Sequence, residues 1–271
     1  MEEAAPNVCP EVPSPVGSRC ESAAHRELKR RSLVWAQGQG YRMAAAEVSL
    51  PNYRFRLDVA AYKPQRVRSA QYDERLKTQR LTWKSAVGLT AVFECKVSRP
   101  DFRRDSRSIP ATLDRLKTLH ERRTRIEHEL LLHYPSIRNG DALFQEYQSV
   151  DYERPGHERY QATMSEIGRL TARLYGNTKF DRLVKWSAAN LFYVVADEGV
   201  VAMHEVPAGW GLLLRDGESL TLALKPVLHE IPDCERLSLL HRISLAATRA
   251  VNREHGVTFD DVQKVGWPAT K

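Results

Sequence analysis

Glu94 and Lys96 stand one residue apart in Ala91-Val92-Phe93-Glu94-Cys95-Lys96-Val97, a run that is otherwise apolar. Side chains alternate along a strand, so Glu94 and Lys96 share one face while Phe93, Cys95 and Val97 take the other. Two charges in an apolar strand are costly unless partners offset their desolvation. Asp58 offers one, because it lies in Phe55-Arg56-Leu57-Asp58-Val59-Ala60-Ala61, again among apolar residues. Asp58 and Glu94 side by side would repel, and a divalent cation relieves that repulsion. Carboxylate oxygens, water and a backbone carbonyl are the ligands Mg²⁺ prefers. The tripeptide by itself has little weight, since about one Glu-x-Lys is expected by chance in a chain this long. Glu27-Leu28-Lys29 repeats it in what reads as a polar helix. A plain ion pair among Asp58, Glu94 and Lys96 on a solvated face accounts for the same residues.

These residues need a sheet to hold them. Met43 to Leu50, Arg54 to Tyr62 and Leu89 to Val97 read as strands, the first two separated by the turn Pro51-Asn52. A helix from Ser22 or Ala23 to Gln37 precedes them and stops at Gly38-Gln39-Gly40. Residues 64–86 are polar and basic without period and read as a long loop. From Pro110 the pattern turns helical, with Ser108 as a cap and Leu113, Leu116 and Leu119 at three-residue steps, and it stops before Tyr134-Pro135. A second helix fits Glu158 to Tyr175. Strands resume with the apolar run Leu191 to Ala196, as in a strand buried on both faces. Gly211–Leu214 and Ser219–Leu224 form a hairpin about Arg215-Asp216-Gly217, and a last helix runs from Pro232-Asp233 to near Gly256. The expected organisation is a disordered tail over 1–22, a core in two parts over 23–105 and 181–271, and an all-helical insertion over 106–180. The fold class is α/β, a mixed sheet flanked by helices.

The chain has 271 residues, a formal net charge of +7 and a pI near 9.3. A basic balance favours an anionic partner such as nucleic acid. No apolar run reaches the roughly 18 residues that a spanning helix needs. The acidic start Met1-Glu2-Glu3 does not read as a signal peptide. Cys9, Cys20, Cys95 and Cys234 are scattered without pairing, which points to a reducing, cytoplasmic compartment and to no disulfide-linked partner. Oligomeric state stays open.

A helix, an acidic strand residue, then Glu-x-Lys on the next strand resembles the PD-(D/E)XK nuclease superfamily. More narrowly, Arg56-Leu57-Asp58-Val59-Ala60-Ala61-Tyr62 followed by Phe93-Glu94-Cys95-Lys96-Val97-Ser98-Arg99-Pro100-Asp101-Phe102-Arg103-Arg104-Asp105 resembles the MmcB-type DNA-repair endonucleases. Gly40-Tyr41-Arg42, Glu47-Val48 and Val206-Pro207-Ala208-Gly209-Trp210-Gly211-Leu212-Leu213 extend the likeness, which spans roughly 24–105 and 183–225. The loop 64–86 and the helical block 106–180 lie outside that pattern. The resemblance implies a restriction-endonuclease-like fold and hydrolysis of DNA phosphodiesters with Mg²⁺ or Mn²⁺, in repair or defence. It implies that Asp58, Glu94 and the carbonyl of Cys95 hold the metal. Lys96 would orient the attacking water or stabilise charge on the phosphate. Glu47 is a further candidate ligand, with Glu27 as its rival. A nucleic-acid-binding module without turnover, or an interaction scaffold, are the alternatives, and RNA remains a possible polymer.

Arg99, Arg103, Arg104 and Arg107 leave the site strand on the side where a phosphate backbone would lie. Lys63, Arg66, Arg68, Lys77 and Arg80 could add to that surface. The group Arg115, Lys117, Arg122, Arg123 and Arg125 reads as a solvated helix face balanced by Asp114, Glu121 and Glu127. His128 and His133 are five apart, about 140° round a helix, and cannot share a metal.

Overall fold

The computed structural model describes residues 21–50, 55–73, 78–104, 110–134, 152, 155–258 and 260–261, with backbone alone at 70–73 and 78–81. The expected tail (apart from Glu21 and Ser22), the turn Pro51-Asn52, the cap Ser108 and Arg107 lie outside the described residues. Six strands form one mixed sheet in sequence order: β1 (Met43–Leu50), β2 (Phe55–Asp73), β3 (Thr78–Lys96), β4 (Leu191–Asp197), β5 (Gly211–Asp216) and β6 (Ser219–Leu224). β1/β2, β2/β3 and β5/β6 are antiparallel, whereas β3/β4 and β4/β5 are parallel. The parallel step after β3 needs a crossover. It is supplied by α2 (Arg99–Arg104), α3 (Pro110–His133), α4 (Glu158–Tyr175) and α5 (Lys179–Lys185).

α1 (Ala23–Gly38) covers one face of the sheet. Ser22 caps it by accepting from the His25 N–H at 3.2 Å, so the ordered fold begins ahead of residue 23. Leu28, Ala36 and Trp35 of α1 pack against Phe93, Cys95, Tyr193 and Val195. Phe93 stacks on Tyr193 with ring centroids 5.0 Å apart, and Trp35 meets both edge-on. The other face carries Val92, Phe192 and Val194 beneath Phe102, Leu116, Leu119, Leu174, Phe180 and the α6 (Asp233–Glu254) residues Leu239 and Ile243. The helical segment therefore shares the sheet's core, and it reaches Lys185 where the sequence suggested 180.

The expected loop 64–86 is instead the continuation of β2 and β3, paired from Gln65–Ala86 to Asp73–Thr78. A bulge between Lys63 and Gln65 separates this extension from the sheet. Gly88 is required there, because a Cβ would meet the Lys63 carbonyl oxygen at 1.9 Å. The Arg236 guanidinium of α6 donates to the carbonyls of Val87 (3.0 Å) and Gly88 (3.1 Å), which pins the bulge. Lys63, expected on the basic surface, is buried with its ammonium 5.6 Å from the Tyr41 ring centre.

Candidate metal centre

Glu94 and Lys96 project to the face of the helical segment, because Phe93 and Cys95 fill the α1 core. Both are buried, at 2% and 6% exposure. β2 pairs with β3 as far as Val59–Phe93, and Asp58 and Glu94 stand next in that register, just past the last ladder pair. The strands part there, and the Asp58 carboxylate enters the gap, where Oδ2 accepts the Cys95 backbone N–H at 2.8 Å. An extended residue turns its N–H and C=O to the same edge, so the Cys95 carbonyl opens on this gap too.

β1 is irregular at the same level. Glu47 lies between the pairs Ala46–Val59 and Val48–Leu57 with φ at 59°, a left-handed conformation that is costly for a glutamate. Strand sidedness switches here. Ala46 and Val59 pack with α1, while Val48 and Leu57 pack in the opposite core. Asp58 thus sits where the sheet turns over, in electrostatic reach of groups on both faces.

A cation that sequence reasoning missed meets the acids. Lys179 Nζ, at the start of α5, lies 2.7 Å from Glu94 Oε1, 2.8 Å from Oε2 and 2.6 Å from the Arg56 carbonyl oxygen. Phe180 and Leu183, buried in the sheet core, hold α5 in place for this contact. Burial, then the Asp58 charge, pushes the Glu94 carboxyl up to about 7 despite Lys179 and Lys96. Burial also raises Asp58, but its hydrogen bond to His25, the Lys179 charge and the Cys95 N–H together leave it below the usual carboxylate range. Lys96 shares the Glu94 face, its ammonium 5.6 Å from the Phe180 ring centre.

α1 supplies a second tier of charge. His25 bridges Glu21 (Nδ1 to Oε1, 2.8 Å) and Asp58 (Nε2 to Oδ2, 3.4 Å), and chiefly the bond to Asp58 raises its affinity for a proton. Lys29, 4% exposed, pairs with Glu21 and Glu47. Glu47 also pairs with Arg56, so it reaches the site only through its own counter-ions. Its rival Glu27 turns to Arg30 (3.0 Å) and Arg31 (2.5 Å) instead. The second Glu-x-Lys is therefore split: its glutamate faces solvent partners, while its lysine is buried beside the site.

His25, Asp58 and the Cys95 thiol bring one ligand atom each within 4.8 Å of one another. A metal there would have to displace the protons that this setting favours on two of them. The bond to Asp58 raises the proton affinity of His25, and burial and the nearby acids push the Cys95 thiol well above its ordinary range. Asp58, Glu94 and the Cys95 carbonyl are oxygen donors of the kind a hard divalent cation takes, while the Lys179 ammonium sits on Glu94 and the Arg56 carbonyl.

Of the arginines after β3, Arg99 bonds the buried Glu205 at 2.7 Å, which removes it from the free basic surface expected for it. Arg103 and Arg104 are exposed on α2, with Arg104 3.8 Å from Asp101. No helix among the described residues is long and apolar enough to cross a membrane. No family model matches the chain, and no curated protein matches it significantly. Among solved structures the chain is similar to the SPO1766 protein of unknown function from Silicibacter pomeroyi, at 13% identity over 93% of this chain and 99% of that one. The TM-score is 0.44, too low to support any functional argument, so the chemistry rests on the site itself.

Proposed function

We propose that the chain is a metal-dependent nuclease of PD-(D/E)XK type, with a restriction-endonuclease-like core, that hydrolyses DNA phosphodiesters in repair or defence. The observation that carries this reading is the acid pair of half-buried Asp58 and buried Glu94 at a parted strand edge, with Lys96 on the Glu94 face. Asp58, Glu94 and the Cys95 carbonyl would hold Mg²⁺ or Mn²⁺. Such a cation, when bound, polarises a phosphoryl oxygen and lowers the pKa of bound water. Lys96 holds a positive charge where the phosphate becomes more negative, or orients the water that attacks it. His25 favours the ionised form of Asp58, and Lys29 holds Glu21 and Glu47 in place.

A second reading has one observation in its favour. Lys179 neutralises Glu94 directly, which suits a nucleic-acid-binding module whose acids need no metal. The two readings separate in a single pair of experiments. Cleavage of single- and double-stranded DNA, with RNA in parallel, is measured with Mn²⁺ for wild type beside Glu94→Ala, and Mn²⁺ binding is followed by calorimetry. The nuclease reading expects Mn²⁺ binding and cleavage by wild type, with both lost in Glu94→Ala. Wild type that binds DNA but neither binds Mn²⁺ nor cuts would establish the module instead.

A further inference from the structure

We propose that the extension of β2 and β3 beyond the Gly88 bulge is a DNA-gripping arm that lies along duplex DNA through its phosphates. It deepens the proposed function and rests on it for the choice of DNA as the polymer. Beyond the bulge the two strands pair only with each other among the described residues. Among the described side chains, none of 64–69 or 82–87 belongs to a core cluster. Arg66, Val67, Arg68, Trp83 and Lys84 are all exposed, Val67 at 49% and Trp83 at 60%.

An exposed two-stranded ribbon is marginal in water unless something holds its root or covers its faces. Here the root is held by the bulge and by Arg236, so the arm projects from a rigid base. The register places Arg66, Arg68, Trp83 and Ser85 on one face and Val67 and Lys84 on the other. The Arg68 guanidinium lies 5.0 Å from the Trp83 ring centre, which fixes both side chains. Across 64–73 and 78–87 the sequence places Arg66, Arg68, Arg80 and Lys84 against the single acid Asp73. An arm this basic, exposed on both faces at 66–68 and 83–85, complements a polyanion rather than a protein or a membrane.

Its shape selects the form of the polymer. Two strands about 4.8 Å apart make a narrow ribbon, the kind of element a major groove roughly 12 Å wide admits. Single strands favour concave channels with open aromatic faces, whereas Arg68 already covers one face of Trp83.

The test uses the full chain without divalent metal, so that binding is read without cleavage. Affinity for mixed-sequence duplex DNA is measured against salt for wild type, for a ribbon variant (Arg66→Gln, Arg68→Gln, Lys84→Gln) and for a charge-matched control (Arg122→Gln, Arg125→Gln, Arg249→Gln). The expected result is a loss of about 10- to 100-fold in the ribbon variant, with the salt slope reduced by about 2 to 3, and little change in the control. Trp83→Ser, which keeps the charge, should weaken duplex binding by a few-fold. Equal losses in ribbon and control variants, absence of duplex binding by wild type, or tighter binding of single strands would each overturn the arm. Mn²⁺ calorimetry on the same proteins reads the metal site independently. Metal binding without a ribbon effect removes the arm and leaves the site, while a ribbon effect without metal binding leaves the arm and removes the site.

Discussion

β2 and β3 are one pair of strands with two halves that obey different rules. In the half within the sheet, Val59, Ala61, Ala91 and Phe93 fill one core and Ala60 and Val92 the other, and every charge there has a partner. In the half beyond Gly88, Arg66, Val67, Arg68, Trp83 and Lys84 face solvent, although the backbone ladder resumes past the bulge and runs to Asp73–Thr78. Backbone pairing is thus indifferent to burial, while side-chain chemistry is not. A carboxylate in the buried half is held at a shifted pKa by its neighbours. An arginine in the exposed half stays at the surface, where a partner can reach it.

The contrast can be broken most directly through stability. Phe93→Ala removes a fully buried ring stacked on Tyr193, and a loss of about 3–5 kcal/mol is expected in denaturant melts. Trp83→Ala, a ring of larger size on the arm, should cost no more than about 0.5 kcal/mol. Similar losses at the two positions would mean that the arm is packed rather than free.

Catalysis gives the next largest effect. Lys96→Ala should lower the cleavage rate with saturating Mn²⁺ by about 10²- to 10³-fold, comparable to losing one charge-stabilising donor. Affinity for duplex DNA should stay within a few-fold, because the arm supplies that. Cleavage at the wild-type rate would show that this lysine has no chemical role.

Lys179→Met sharpens the comparison from the metal side. If its ammonium occupies oxygens that a cation needs, its removal should tighten Mn²⁺ binding about tenfold in calorimetry, equivalent to about 1.4 kcal/mol. Weaker binding would instead make Lys179 a supporting residue.

The smallest effect concerns pH. His25 binds its proton more tightly in the fold, chiefly through Asp58. A group whose folded pKa is raised adds stability that is fully present below its unfolded pKa and lost as pH rises through the folded value. The melting-temperature gap between wild type and His25→Gln should therefore be wide at mildly acidic pH and close above neutrality. The gap should correspond to about 0.2–1 kcal/mol, as for a partly exposed ion pair. A gap that widens with pH would reverse the assigned charge.

Much of the site was legible because strand periodicity is local. The apolar residues at 91–93, 95 and 97 put Glu94 and Lys96 on one face, and the same pattern around Asp58 marked the adjoining strand. The limits of α3 and α4 were legible for the same reason, since their apolar residues recur at helical spacing over several turns. The arm was not, and reading it as a loop was wrong for a definite reason. Alternation marks a strand only when one face is buried, and the arm buries neither. The helices α2 and α5, at six and seven residues, are too short for a period to emerge.

By itself the sequence determined which residue types face which side of each strand, because that depends only on neighbours one and two positions away. The tertiary structure alone decided which charges meet. Lys179 reaches Glu94 across 85 positions, and Lys29, in a helix that reads as polar, is buried against Glu47. Glu47 is turned aside by a left-handed backbone that no local pattern announces. Long-range ion pairs depend on how the helices settle on the sheet, and that geometry is set by the packing of Phe180, Leu183 and Leu28, none of which carries a charge.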